Sequence, residues 1–232
     1  SDLVIAIGTE LAEVDLWRDQ LGHSATLVRI DIDPEVLADP HRADIQVLSD
    51  GAGFVTALSK ALAQSKAPAA TGWDRAKIAA TKAHLRALTD AERPGIVPIL
   101  DAIQAVMPAD TMFFSDMTQF AYVGKEVYPM SSPNLWHHPT GFGTLGYALP
   151  AAIGGKIGRG DKPVVAMMGD YGFHYTMQEL GVAVELGLCV PILLWDNGKL
   201  KEIEDSMLSS QIAPNAVVAR NPDFCALARA FG

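Results

Sequence analysis

Two short apolar runs constrain this chain more than anything else in it. Residues 164–168 run straight into Gly169-Asp170-Tyr171-Gly172, and residues 191–195 run into Asp196-Asn197-Gly198, so that Asn197 follows Asp170 by 27 positions. That interval holds one helix and one return strand. Parallel strands joined by a crossover helix open their C-terminal ends on the same sheet edge, which brings the two polar turns together. A strand-to-helix turn offers backbone N–H groups to an anion. Asp170 and Asn197 add hard oxygen ligands of the kind Mg²⁺ takes. A lone Gly-Asp-x-Gly is more often plain turn chemistry, so the pairing of the two turns carries the reading.

The rest of the chain repeats the strand–helix alternation and predicts an α/β fold built on parallel sheets. Strands are expected at Leu3–Ile7, 26–30 and Ile45–Leu48. A helical turn is expected within 11–17, and an amphipathic helix over 53–62 with Phe54, Leu58 and Leu62 on one stripe. Residues 1–62 read as the second half of a Rossmann-like domain. Residues 63–93 turn to Ala, Lys, Ser, Pro and Thr and read as a linker with some helix in it. Over 94–232 the pattern predicts helix Ile96–Val106, strand Met112–Ser115, helix 145–157, strand 164–168, helix 176–186, strand 191–195 and helix 223–231. Both ends are expected to continue in a longer polypeptide.

Composition narrows the function classes. Among 232 residues, 18 basic and 27 acidic side chains give a net charge of −9, which lacks the basic footprint of a nucleic-acid binder, and 49% apolar content excludes disorder. Cys189 and Cys225 match no disulfide or metal-ligand spacing and are expected to be small buried thiols. The charge-free run 127–155 contains Pro129, Pro133, Pro139 and Pro150, so no membrane helix is expected there. With no basic leader at Ser1-Asp2, the expected location is the cytoplasm.

Gly169-Asp170-Tyr171-Gly172, the 27-residue interval and Asp196-Asn197-Gly198 resemble the cofactor motif of the thiamine diphosphate enzymes, the pyruvate decarboxylase and acetolactate synthase superfamily. The glycine-rich stretch 141–154 resembles that family's segment before the cofactor strand, and Ser115-Asp116-Met117-Thr118-Gln119 its diphosphate loop. Residues 3–8 and 27–34 resemble the end of its central domain. The resemblance implies thiamine diphosphate with Mg²⁺ held by Asp170, Asn197 and the main-chain oxygen of Lys199. It implies diphosphate contacts from Gln119, Gly169, Tyr171 and Gly172. Leu145 would be the apolar wedge that bends the cofactor into a V, and the Gly143 carbonyl would accept from its aminopyrimidine. The bent form places the imine beside the acidic thiazolium carbon, so that proton abstraction is intramolecular.

The resemblance further implies a small 2-oxo acid as substrate, decarboxylated by a homodimer or homotetramer, with Glu202 placed to face it. The segment from Asp196 to Asp205 looks most like 5-guanidino-2-oxopentanoate decarboxylases. An acetolactate synthase-like carboligase and a non-catalytic cofactor-binding module are the alternatives. The activating glutamate of the family belongs to an N-terminal domain these residues do not include, so the chain alone is expected to lack turnover.

Three positions depart from the family pattern. Tyr171 replaces the central glycine, Asp196 replaces the first asparagine, and Phe120 stands where synthases often carry histidine. The first two are tolerable if they act through the backbone, whereas Phe120 argues against a synthase-type contact. Other candidates have plainer readings. His137-His138 suits a loop or strand end, Glu202, Glu204 and Asp205 suit a solvated face, and Asp31 and Asp33, with no GxGxxG before them, suit turn and cap roles.

Overall fold

The computed structural model describes residues 2–12, 16, 21–38, 43–65, 72 and 74–232. They divide into two units, 1–72 and 73–232. In the first, β1 (Leu3–Ile7), β2 (Thr26–Asp31) and β3 (Ile45–Leu48) form a parallel sheet in chain order, with Leu3 opposite Thr26 and Val28 opposite Ile45. Between β2 and β3 lies α1 (Pro34–Leu37), capped by the Asp33 side chain on Glu35 N–H, while Asp31 accepts from Asp33 N–H. Both aspartates thus hold the turn and cap roles expected of them. Asp50 caps α2 (Gly51–Gln64), whose Phe54 and Leu58 are half-buried while Leu62 is exposed. Most of the turn expected within 11–17 lies outside the described residues.

In the second unit, the helix expected within the linker stretch spans 18 residues, α3 (Arg75–Glu92), capped by Asp74 and packed on α4 (Ile96–Val106) and α5 (Gln119–Val127). Its Ala, Lys and Leu content favours helix, yet its apolar stripe is too thin to announce a packed element from the sequence alone. Next come β4 (Met112–Ser115), β5 (Trp136–His137), α6 (Ala148–Arg159) and β6 (Val164–Gly169). They are followed by α7 (Asp170–Thr176), a 3₁₀ turn at Met177–Glu179, α8 (Leu180–Glu185) and β7 (Ile192–Trp195), then by α9 (Lys201–Ser209) and α10 (Phe224–Phe231). The sheet is parallel throughout, in the order β5-β4-β6-β7.

β6 is buried along its whole length, as a strand covered on both faces must be. Its side chains alternate between two cores. Val164, Ala166 and Met168 pack with α6 and with Phe224, Leu227 and Phe231 of α10. Val165 and Met167 pack with Ile96, Val97 and Leu100 of α4 and with Phe120, Ala121 and Val123 of α5.

Two expectations fail here. The single helix expected over 176–186 is three short pieces, because helix starts at Asp170 with no intervening turn and breaks at Thr176, whose φ is −136°. Burial of Phe173 stabilises that first turn against a poor local propensity. Cys189 and Cys225 are exposed, not buried. Cys225 follows Phe224 by one position, about 100° round the helix, so when Phe224 packs inward the thiol leaves the core.

Candidate functional site

The connections after β4 and β6, neighbours in the sheet, leave in opposite directions: β4 leads to β5 on one side and β6 leads to β7 on the other. At such a switch point the loops diverge and leave a crevice at the C-terminal ends of the strands. A cavity of about 200 Å³ lies there. Residues 117–119 after β4, 169–172 at the end of β6, and Asn197 with 199–203 after β7 line it, joined by Gly143 and Leu145. All ten residues singled out from the sequence (Gln119, Gly143, Leu145, Gly169, Asp170, Tyr171, Gly172, Asn197, Lys199 and Glu202) line this one cavity. Met117 and Leu145 give it an apolar side, and the 169–172 and 197–199 turns give it a polar one. That division suits a ligand with an apolar ring and an anionic tail.

Asp116, fully buried, lies behind the lining residue Gly172. Its Oδ2 accepts from the N–H of Gly146 at 2.7 Å, and burial pushes its carboxyl above the usual range, with the N–H groups of Gly146, Met117 and Tyr147 pulling the other way. A Cβ on Gly172 would overlap this carboxylate. Gly172 is therefore demanded by Asp116 from within the protein, beyond any need for a ligand to approach closely. Gly146, at φ +84°, takes a left-handed conformation that points its N–H at the same oxygen.

At the polar side, Asp170 is 2% exposed. Its Oδ1 accepts from Tyr171 N–H at 2.9 Å and its Oδ2 from Asn221 Nδ2 at 2.6 Å. The backbone N–H of Tyr171, expected to meet a diphosphate, is thus engaged by the neighbouring carboxylate. Asn221 Nδ2 also donates to Asp196 Oδ1, at 2.7 Å. Two carboxylates therefore meet on one amide, and among the described residues neither has a Lys or Arg at ion-pair distance. A divalent cation with oxygen ligands fits this charge imbalance, and neighbouring Asn197 Oδ1 is a further oxygen of the right type. Asp196 acts through its side chain, not only through the backbone as the sequence had suggested. Nothing in the sequence singles out Asn221, because Asn221-Pro222-Asp223 reads as an ordinary helix-start signal.

Glu202 lies in the first turn of α9 and is not simply solvated. Arg93 Nε donates to its Oε1 at 3.2 Å and Arg93 Nη2 to its Oε2 at 3.5 Å. Burial alone would lower the Arg93 guanidinium, but the hydrogen bond and charge of Glu202, with Glu92 and Glu126, outweigh it and raise the group above its ordinary value. Tyr122 lines the same cavity, and burial, reinforced by the charges of Glu202 and Asp116, pushes its phenol up to about 12, so it stays protonated. Glu204 pairs with Lys199 Nζ at 2.9 Å, and Asp205 with Lys201. Nothing in the sequence near Arg93 signals a partner 109 residues away.

Phe120 belongs to the core, 4% exposed and stacked on Trp195 at 5.4 Å, so it offers the cavity no polar contact. His137 ends β5 and stacks on Phe114. His138 Nδ1 lies 2.8 Å from Ser115 Oγ, and Ser115 Oγ accepts from Trp136 Nε1 at 2.9 Å. Burial, with help from the Lys125 charge, lowers His138 to about 4, against a hydrogen bond to the Ser115 backbone that raises it. Below pH 6.5 the unfolded chain takes up a proton that the folded one refuses, so His138 costs stability progressively from pH 6.5 down to about 4. His138→Asn, which keeps an acceptor for Ser115 but cannot titrate, is expected to narrow the fall in urea midpoint between pH 7 and pH 5. An equal fall in both proteins would remove His138 from the acid response.

Comparison with known proteins agrees with the geometry. Residues 116–232 match the family described as thiamine pyrophosphate enzyme, C-terminal TPP binding domain. Over its whole length the chain is 44% identical to a Pseudomonas aeruginosa protein named probable 2-ketoarginine decarboxylase AruI, covering 41% of that protein. It is 27% identical to the acetolactate synthase large subunit of Parasynechococcus marenigrum, covering 38% of it, and 27% identical to the isozyme 3 large subunit of Escherichia coli K12, covering 42%. The chain thus spans about two fifths of the length of these curated relatives. Among the described residues no helix is long and apolar enough to cross a membrane. With half of the chain matched and the matching turns gathered on one cavity, the chain belongs to the thiamine pyrophosphate enzyme family, and residues 116–232 are its cofactor-binding domain.

Proposed function

We propose that the intact protein is a thiamine diphosphate and Mg²⁺ dependent decarboxylase of a 2-oxo acid with a cationic tail. The observation that carries this is the cavity in which Asp170, Asn197 and Lys199 meet at one side and Glu202 stands close by. The 44% identity to the probable 2-ketoarginine decarboxylase, against 27% to the synthases, supports the substrate class. Packing of Phe120 into the core speaks against a synthase-type contact at that position.

Asp170, the Asn197 side chain and the Lys199 main-chain oxygen would hold Mg²⁺, and Gln119, Gly169 and Gly172 would receive the diphosphate, the Tyr171 N–H being held by Asp170. Leu145 and Gly143 would shape and orient the ring end. When bound, the cofactor supplies the electron sink that decarboxylation of a 2-oxo acid requires. Leu145 and Met117 keep water from the ring end of the cavity, and the protonated Tyr122 offers a neutral hydroxyl beside it. Glu202 brings a carboxylate to that side, held in place by the Arg93 guanidinium. A carboxylate has lone pairs left after pairing with one guanidinium, so a second cation can share it. On family resemblance the protein would work as a cytoplasmic homodimer or homotetramer, which light scattering and cell fractionation would check. On the same footing, residues 1–62 would be the second half of a Rossmann-like central domain.

Release of CO₂ and an aldehyde from 5-guanidino-2-oxopentanoate by the purified intact protein tests this reading. Acetolactate formed from pyruvate would favour the carboligase, and cofactor binding without turnover of any 2-oxo acid would favour the module. Glu202→Gln is expected to lower kcat/KM for the guanidino acid by on the order of 1–2 kcal/mol and to change pyruvate turnover little. Equal losses on both would move Glu202 into the proton-transfer machinery, and no loss on either would return it to a surface role held by Arg93.

A further inference from the structure

The polar side of the cavity is organised from a part of the chain outside the cofactor motif. Residues 217–221 run antiparallel to the turn after β7. Leu200 N–H donates to Val217 O and Ala219 N–H to Gly198 O, both at 2.9 Å, with Lys199 opposite Val218 between them. In an extended pair the backbone groups of successive residues point to opposite sides. With Gly198 O and Leu200 N–H turned toward this strap, the N–H and C=O of Lys199 face away from it. Lys199 N–H duly meets Asn197 Oδ1 at 3.1 Å on the far side, where both residues line the cavity. The strap is anchored by Val217, 4% exposed, and follows a left-handed Ala216 at φ +56°.

Four residues further on, Asn221 does for Asp170 what the strand pairing does for Lys199. Its amide nitrogen lies between Asp170 Oδ2 and Asp196 Oδ1, which fixes the flip of the group, since an oxygen there would face two carboxylates. Asn221 Oδ1 is then turned to His174 Nε2 at 3.1 Å, so that nitrogen carries the proton and donates. Asp196, on the other side of Asn221 from Asp170, also accepts from Gly198 N–H at 3.2 Å, so it ties the amide to the β7 turn.

We propose that the segment 217–221 is a positioning strap for the cation site, in which Asn221, steadied by Asp196 and His174, holds the Asp170 carboxylate and the 217–219 pairing aims the Lys199 carbonyl. Asn221 and Asp196 are positioning residues and touch neither cofactor nor substrate. The proposal rests on the reading of Asp170, Asn197 and Lys199 as cation ligands. It adds that cation affinity is set from a segment 18 to 51 residues beyond those ligands in the chain.

The test is Mn²⁺ affinity of the intact protein, by electron paramagnetic resonance in the presence of thiamine diphosphate, beside the ligand-free Tm of each variant. Partners that orient a metal ligand are worth roughly 10 to 100-fold in affinity, so Asn221→Ala is expected to weaken Mn²⁺ about tenfold or more. Asn221→Asp, which removes both donors and adds a third carboxylate, should fail similarly. Asp196→Ala is expected to weaken it several-fold, whereas Asp196→Asn, which keeps an oxygen acceptor, should restore affinity to within about twofold of wild type. That rescue separates orientation from mere loss of charge. If Asn221→Ala lowers the ligand-free Tm, the exposed Asp196 pair of variants decides the matter. Wild-type affinity in Asn221→Ala overturns the proposal, and so does wild-type affinity in Asp196→Ala. Absence of Mn²⁺ binding by the wild type would instead overturn the cation site itself.

Discussion

Asp170→Ala is expected to abolish Mg²⁺-dependent binding of thiamine diphosphate by the intact protein, with a loss on the order of a hundredfold or more. The side chain is 2% exposed at the head of α7, and it would be the sole charged ligand in a set otherwise made of an amide oxygen and a main-chain carbonyl. Neutral oxygens alone hold a strongly hydrated cation poorly, and without the cation the diphosphate charge would go uncompensated. Titration calorimetry with and without Mg²⁺ reads the effect. The wild type should show strong Mg²⁺ dependence and the variant none. Equal affinity in the two proteins would remove Asp170 from the site.

Gly172→Ala should damage both stability and the site, although it adds only one methyl group. The new Cβ would overlap the Asp116 carboxylate, which is itself buried and bonded to Gly146 N–H. Neither side can give way cheaply. Moving Asp116 leaves a buried acceptor and a buried N–H without partners, and moving the helix disturbs Phe173 in the core. Overpacking of this kind costs about 2–3 kcal/mol, seen as a lower urea midpoint with unchanged slope. Asp116→Ala combined with Gly172→Ala should recover part of the packing loss but not cofactor affinity, because the Gly146 turn stays unsupported. A Gly172→Ala protein as stable as wild type would show that the Asp116 clamp is not tight.

The four strands Leu3–Ile7, Ile45–Leu48, Met112–Ser115 and Val164–Gly169 could be read almost to the residue, because each is an apolar run bounded by turn-forming residues. Helix α3 could not. Its thin apolar stripe resembles that of a solvated linker, and only packing on α4 and α5 makes it part of the unit. The same holds for the start of α7, where the Gly-Asp-Tyr-Gly sequence favours a turn locally and the buried Phe173 holds a helix instead.

For the site the division is similar. A parallel sheet must present the ends of adjacent strands on one edge, and the 27-residue spacing therefore sufficed to bring Asp170 and Asn197 to one cavity, with Gln119, Gly143 and Leu145 following from the family resemblance. Spacing says nothing of partners that arrive from distant chain segments. Arg93 on Glu202, Asp116 beneath Gly172 and Asn221 between Asp170 and Asp196 are contacts across 109, 56 and 51 or 25 residues. None is signalled by a local pattern, because a hydrogen bond depends on where two backbones pass in space and on which oxygen remains unpaired once the core has closed. The sequence thus determined which strand ends meet at the cavity, and tertiary packing decided how each side chain there is held and aimed.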